Sequence, residues 1–66
     1  MIVWLNDERR DVPAGTTVAA LMAEHGVAEK GVAVAVDGTV VPRASWMTVR
    51  LVEGTRVKVL TAVQGG

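Results

Sequence analysis

Val32-Ala33-Val34-Ala35-Val36-Asp37-Gly38-Thr39-Val40-Val41-Pro42 is the stretch that decides the fold. Valine and alanine alternate over its first five residues, so one face of a strand is bulky and the other small. Asp37-Gly38 then fits a two-residue hairpin turn, which needs positive φ at both positions. Thr39-Val40-Val41 returns as the partner strand, and Pro42, which has no amide hydrogen to donate, ends the pairing.

Upstream of this hairpin, Val18, Leu21, Met22 and His25 fall at i, i+3, i+4 and i+7, the stripe of an amphipathic helix over residues 17–25. Thr16 is its expected N-cap and Gly26 its expected terminator. Further upstream, Met1-Ile2-Val3-Trp4-Leu5 is rich in strand formers and is followed by the turn signal Asn6-Asp7. Residues 9–12 return as a more polar strand that Pro13-Ala14-Gly15 closes. Downstream, residues 43–47 make an irregular corner around Trp46, and residues 49–52 a short extended piece before the Glu53-Gly54 turn. Arg56-Val57-Lys58-Val59-Leu60 is the last strand.

The expected order is therefore strand, strand, helix, strand, strand, strand. No repeat or linker interrupts it, so residues 1–66 read as one domain. A hairpin feeding a helical crossover into another strand gives an α+β fold, with a single helix on one face of a mixed sheet. The opposite face is left open. Val3, Leu5, Val57 and Val59 are assigned to the core, because the alternative would bury Arg56 and Lys58. Ile2, Trp4 and Leu60 then lie on the open face beside those two cations. Such a face is either a protein interface or a sheet that Trp4 shields by stacking on Lys58.

Composition excludes many functions. The chain has 66 residues, 7 basic and 7 acidic, and it lacks the basic excess of a dedicated nucleic-acid binder. Without Cys there is no disulfide, thiolate zinc site or thiol nucleophile. One His and one Ser leave most hydrolase arrangements without parts. His25 reads as a helix-end or half-buried structural residue, and Ser45 as a turn residue. The acidic residues Asp7, Glu8 and Asp11 read as a solvated hairpin end. No apolar run approaches the roughly 20 residues of a membrane-spanning helix. A secretion signal is not expected either, because charges at residues 7–11 interrupt the region where its apolar stretch would lie. A cytoplasmic protein that works through partners is the expectation.

What remains is the end, Val63-Gln64-Gly65-Gly66. Residues without Cβ can pass through a narrow channel and adopt backbone angles closed to others. Two in succession form a thin lead that can carry a terminal carboxylate into another protein's active site, where transfer of AMP would make it a reactive acyl group.

Several segments together resemble the bacterial thiazole-pathway sulfur carrier proteins of thiamin biosynthesis, whose fold is the β-grasp, or ubiquitin-like, fold. They are Val3-Trp4-Leu5-Asn6, Thr17-Val18-Ala19-Ala20-Leu21-Met22, residues 32–36, Val40-Val41-Pro42-Arg43 with Trp46, and Ala62-Val63-Gln64-Gly65-Gly66. The chain departs from that pattern at Asp7, Asp37, Thr55 and Lys58, which makes the partner-facing surface more basic. The resemblance implies a carrier, not an enzyme, with no bound cofactor. An E1-like adenylating enzyme using ATP and magnesium would activate the Gly66 carboxylate. A persulfide sulfur donor would convert it to a thiocarboxylate, and a thiazole synthase would take the sulfur. Gly65 and Gln64 would give the tail 63–66 access and flexibility. Ile2, Trp4, Arg56, Lys58 and Leu60 would dock on the partners, and no processing protease would be needed to expose Gly66. Alternatives are the small subunit of molybdopterin synthase, a sulfur carrier of another pathway, and a β-grasp binding module for which the two glycines are incidental.

Overall fold

The structure, a computed structural model, describes residues 1–25 and 31–61. The strands are β1 (Ile2–Leu5), β2 (Glu8–Asp11), β3 (Val32–Val36), β4 (Thr39–Val41) and β5 (Arg56–Thr61). The helix α1 spans Val18–His25, and a 3-10 turn covers Arg43–Ser45. The strands form one sheet in the order β2-β1-β5-β3-β4. β1 and β5 run parallel, and the other neighbours are antiparallel. The expected α+β layout is thus present, with β5, the last strand in sequence, at the centre.

Both hairpins turn on two residues. Asp37 and Gly38 have φ of 48° and 85°, and their turn sets Val36 opposite Thr39. Asn6 and Asp7 have φ of 49° and 68°, so β2 starts at Glu8, opposite Leu5, and not at Arg9 as expected. Two positive φ angles twist the turn in the sense that the flanking strands require, and Asn, Asp and Gly tolerate them best.

The helix begins one residue later than expected, and its cap is Thr17, not Thr16. The Thr17 hydroxyl accepts from the Ala20 amide at 3.1 Å. Thr16 is committed elsewhere, because its hydroxyl donates to the Pro13 carbonyl at 2.7 Å. Its carbonyl accepts from the Leu51 amide at 2.9 Å. Residues 49–52 are accordingly stitched to the helix entrance through the bridge Thr17–Arg50, and they do not form a sheet strand. The expected stop at Gly26 lies outside the described residues.

Val18, Leu21 and Met22 pack against Val3, Leu5, Val34 and Val57 of the sheet. Trp46 and Leu51 close the core from the corner that follows β4. The Trp46 indole is only 6% exposed, and its Nε1 donates to the Val41 carbonyl at 3.1 Å. That bond satisfies a polar group that would otherwise be costly to bury. His25 is exposed, with its Nδ1 3.4 Å from Arg10 Nη2, so the helix-end placement holds and the half-buried one does not. Among the described residues, no helix is long and apolar enough to cross a membrane.

Candidate functional site: the open sheet face

Strand register places the side chains of the face that α1 leaves uncovered. Trp4 lies beside Arg56 on one side and Arg9 on the other. Lys58 lies beside Ala35, which in turn lies beside Val40. Leu60 lies beside Ala33, and Ile2 beside Asp11. Residues paired in this way point to the same side of the sheet. The structure therefore brings together all five residues assigned to this face from sequence: Ile2, Trp4, Arg56, Lys58 and Leu60. It also keeps Val3, Leu5 and Val57 buried on the helix side, with Val59 half-buried there.

The face mixes exposed apolar side chains with cations. Trp4 is 37% exposed, Leu60 57% and Val40 63%. Ala33 and Ala35 keep the floor between Leu60 and Val40 low. Arg9 on β2, and Arg56 and Lys58 on the central β5, are exposed among them. The Lys58 Nζ lies 3.3 Å from Asp7 Oδ2, a solvent-exposed pair of the kind that contributes little to stability. Exposed large apolar side chains on a sheet face that no helix covers mark a candidate protein-binding surface.

Sequence reasoning missed Val40 and Arg9 as members of this face. For Val40 the signal was present: once Asp37-Gly38 fixes the β3–β4 register, Val40 must share a side with Ala35. Reading it required knowing which side of β3 the helix covers, and that follows only from the pairing of β3 with β5.

β5 is held by turn residues at its start and three residues further on. The Asp37 carboxylate accepts from the Arg56 amide at 3.0 Å, and the Asp37 amide donates to the Arg56 carbonyl at 2.8 Å. On the β1 side the Asn6 side-chain oxygen accepts from the Val59 amide at 2.8 Å. The acidic residues of the first hairpin are engaged locally, Glu8 with Arg10 at 3.4 Å and Asp11 with the N-terminal ammonium at 3.5 Å. No cluster able to hold a metal ion is found among the described residues. Ser45 sits in a turn whose carbonyl accepts from the Thr48 hydroxyl and amide, as a turn residue should. Gln64, Gly65 and Gly66, the residues assigned to the reactive tail, lie outside the described residues.

Comparison with known proteins agrees with this architecture. A crystal structure of the thiamine biosynthesis protein ThiS from Geobacter metallireducens superposes with a TM-score of 0.85 at 25% identity, covering all of both chains. A solution structure of a thiamine biosynthesis protein from the same organism gives a TM-score of 0.78 at 25% identity, covering all of this chain and 88% of the other. A thiazole synthase of Paramagnetospirillum magneticum is 34% identical over all 66 residues. This chain spans about a fifth of that relative's length, 20%. Residues 3–66, nearly the whole sequence and including both terminal glycines, match the ThiS family, and the chain belongs to that family.

Proposed function

We propose that this protein is the sulfur carrier of the thiamin pathway, acting in the cytoplasm as a protein co-substrate, with its Gly66 carboxylate as the reacting group. The observation that carries the reading is that one strand serves both needs. β5 supplies Arg56, Lys58 and Leu60 to the open face, and the sequence then runs on to Gly65-Gly66 within a few residues. Membership of the ThiS family and the match to ThiS structures support it.

In this reading the open face docks on an E1-like adenylating enzyme, which holds ATP and magnesium. A Gly66 carboxylate oxygen attacks the α-phosphorus of ATP, and pyrophosphate leaves, giving an acyl-adenylate. The terminal sulfur of a persulfide then attacks the acyl carbon, and AMP leaves. A thiol cleaves the remaining sulfur–sulfur bond, so the donor side becomes a disulfide and Gly66 keeps one sulfur as a thiocarboxylate. On a thiazole synthase the sulfur passes to an acceptor as the acyl carbon–sulfur bond breaks, and the acyl carbon takes an oxygen in exchange, from water or from the acceptor, which restores the carboxylate. The last partner is supported by the Paramagnetospirillum relative, in which a segment like this chain is part of a longer protein named thiazole synthase. Gly65 and Gln64 form the narrow lead, and the carrier's own side chains need do no acid–base work.

The test is intact mass after incubation with a thiazole-pathway adenylating enzyme, ATP, magnesium and a persulfide donor. The expected product gains the difference between sulfur and oxygen, and a chain lacking Gly66 gains nothing. An unmodified wild-type chain beside an enzyme that activates its own carrier would overturn the reading and favour a binding module.

A further inference from the structure

We propose that Asn6 is a positioning residue for the reactive tail, holding the point from which the tail leaves the sheet; this rests on the carrier reading above.

β1 and β5 are joined by a parallel ladder, in which alternate residues of one strand give and take bonds from the other. The Trp4 amide donates to the Thr55 carbonyl at 2.8 Å, and the Asn6 amide to the Val57 carbonyl at 2.9 Å. The next bond of such a ladder would run from the Val59 amide to the Asn6 main-chain carbonyl. At Asn6, however, the chain has already turned, with φ of 49°. The side-chain oxygen of Asn6 takes that place, at 2.8 Å from the Val59 nitrogen and across 53 residues of sequence. It extends the ladder by one bond beyond the end of β1.

Past Val59, the register holds β5 on the β3 side alone, through Leu60 with Ala33 and Thr61 with Val32. Among the described residues, Asn6 is therefore the last partner of β5 on the β1 side. Asp7, the next residue of the same turn, reaches Lys58 on the open face at 3.3 Å. The turn thus holds β5 at the Val59 backbone, in the last half of the strand, and the exposed Asp7–Lys58 pair adds little to that.

A tail that presents a carboxylate for in-line attack is aimed no better than its root, and misplacement by about 1 Å can cost a reaction on the order of a hundredfold. Removing the oxygen takes the partner from the Val59 amide and leaves Leu60 and Thr61, the last residues of β5, held from the β3 side, so the root gains freedom. The Asn6 side-chain oxygen is committed to the Val59 amide, so its removal is expected to leave Trp4, Leu60 and Val40 in place for docking.

Two substitutions separate the oxygen from the turn. Asn6→Gly keeps the tolerance for positive φ and removes the acceptor, whereas Asn6→Asp keeps both. For Asn6→Gly we expect faster hydrogen exchange at the Val59 amide and a kcat for adenylation lowered about tenfold. The KM for the carrier and the Kd for docking stay at wild-type values, and Asn6→Asp restores both the protection and kcat. An Asn6→Gly chain adenylated at the wild-type kcat would overturn the proposal. So would a loss residing in KM and Kd, or a failure of Asn6→Asp to rescue. A wild-type chain that is not adenylated at all is a different result, and overturns the carrier reading itself.

Discussion

Trp4 has the largest side chain on the proposed docking face, and replacing it with alanine has a calculable effect. An indole side chain presents up to roughly 250 Å² to solvent. With 37% of the residue exposed on the open face, about 90 Å² remains for a partner to cover. At ~25 cal/mol per Å², complete covering contributes about 2 kcal/mol. Its loss weakens docking by about 30-fold. Calorimetric titration of the carrier with the adenylating enzyme measures this directly. The protein supplies its own control, since its other tryptophan, Trp46, is buried in the corner and reports core packing through its near-ultraviolet dichroism. A Trp4→Ala chain that keeps the Trp46 signal and binds with the wild-type Kd would refute the argument. Trp4 would then be a shield for the sheet.

Three further outcomes follow from particular contacts. Leu60→Asp replaces an exposed apolar side chain of the proposed docking face by a charge and should weaken docking by a factor comparable to that of Trp4→Ala while leaving the melting temperature unchanged, which titration and a thermal melt check together. Thr17→Ala should lower stability by about 1 kcal/mol through loss of the cap bond to Ala20, with Thr17→Ser retaining it; equal melting of the two variants would contradict the assignment of the cap. Trp46→Phe takes the indole donor from the buried Val41 carbonyl and should lower stability by about 1–3 kcal/mol in denaturant titrations, without changing the Kd for a partner on the opposite face.

The sheet and its open face were readable from sequence because each rested on a rule of period or turn. Alternation assigned Trp4 and Leu60 to one side and Val3 and Val57 to the other, with Arg56 and Lys58 deciding which side was core. Asp37-Gly38 fixed a hairpin without help from tertiary structure. The cap was misplaced because two threonines stand in succession, and only the competing bond from Thr16 to Pro13 decides between them. Residues 49–52 contain valine and leucine in an extended run, yet they pair with the helix entrance. Pairing partners are a tertiary property that local composition does not carry. Asn6 was legible as a turn residue, and its bond to Val59, 53 residues away, was not.

Placing docking and delivery on one strand constrains what can act on this protein. Gly66 stands six positions beyond Leu60. A fully extended chain covers at most about 3.3–3.6 Å per residue, so the carboxylate can reach no farther than ~22 Å from the Leu60 backbone. Any enzyme that both covers Leu60 and modifies Gly66 must therefore open its reaction pocket within that distance of the docking surface. In the proposed function the same limit would apply to the adenylating enzyme and to the enzyme that withdraws the sulfur. Were both to cover this face, the carrier would serve them in turn and not together. Alternation follows from this geometry, because the spent carboxylate and the loaded thiocarboxylate leave the face itself unchanged. Only the chemistry at Gly66 can tell each enzyme whether its substrate has arrived.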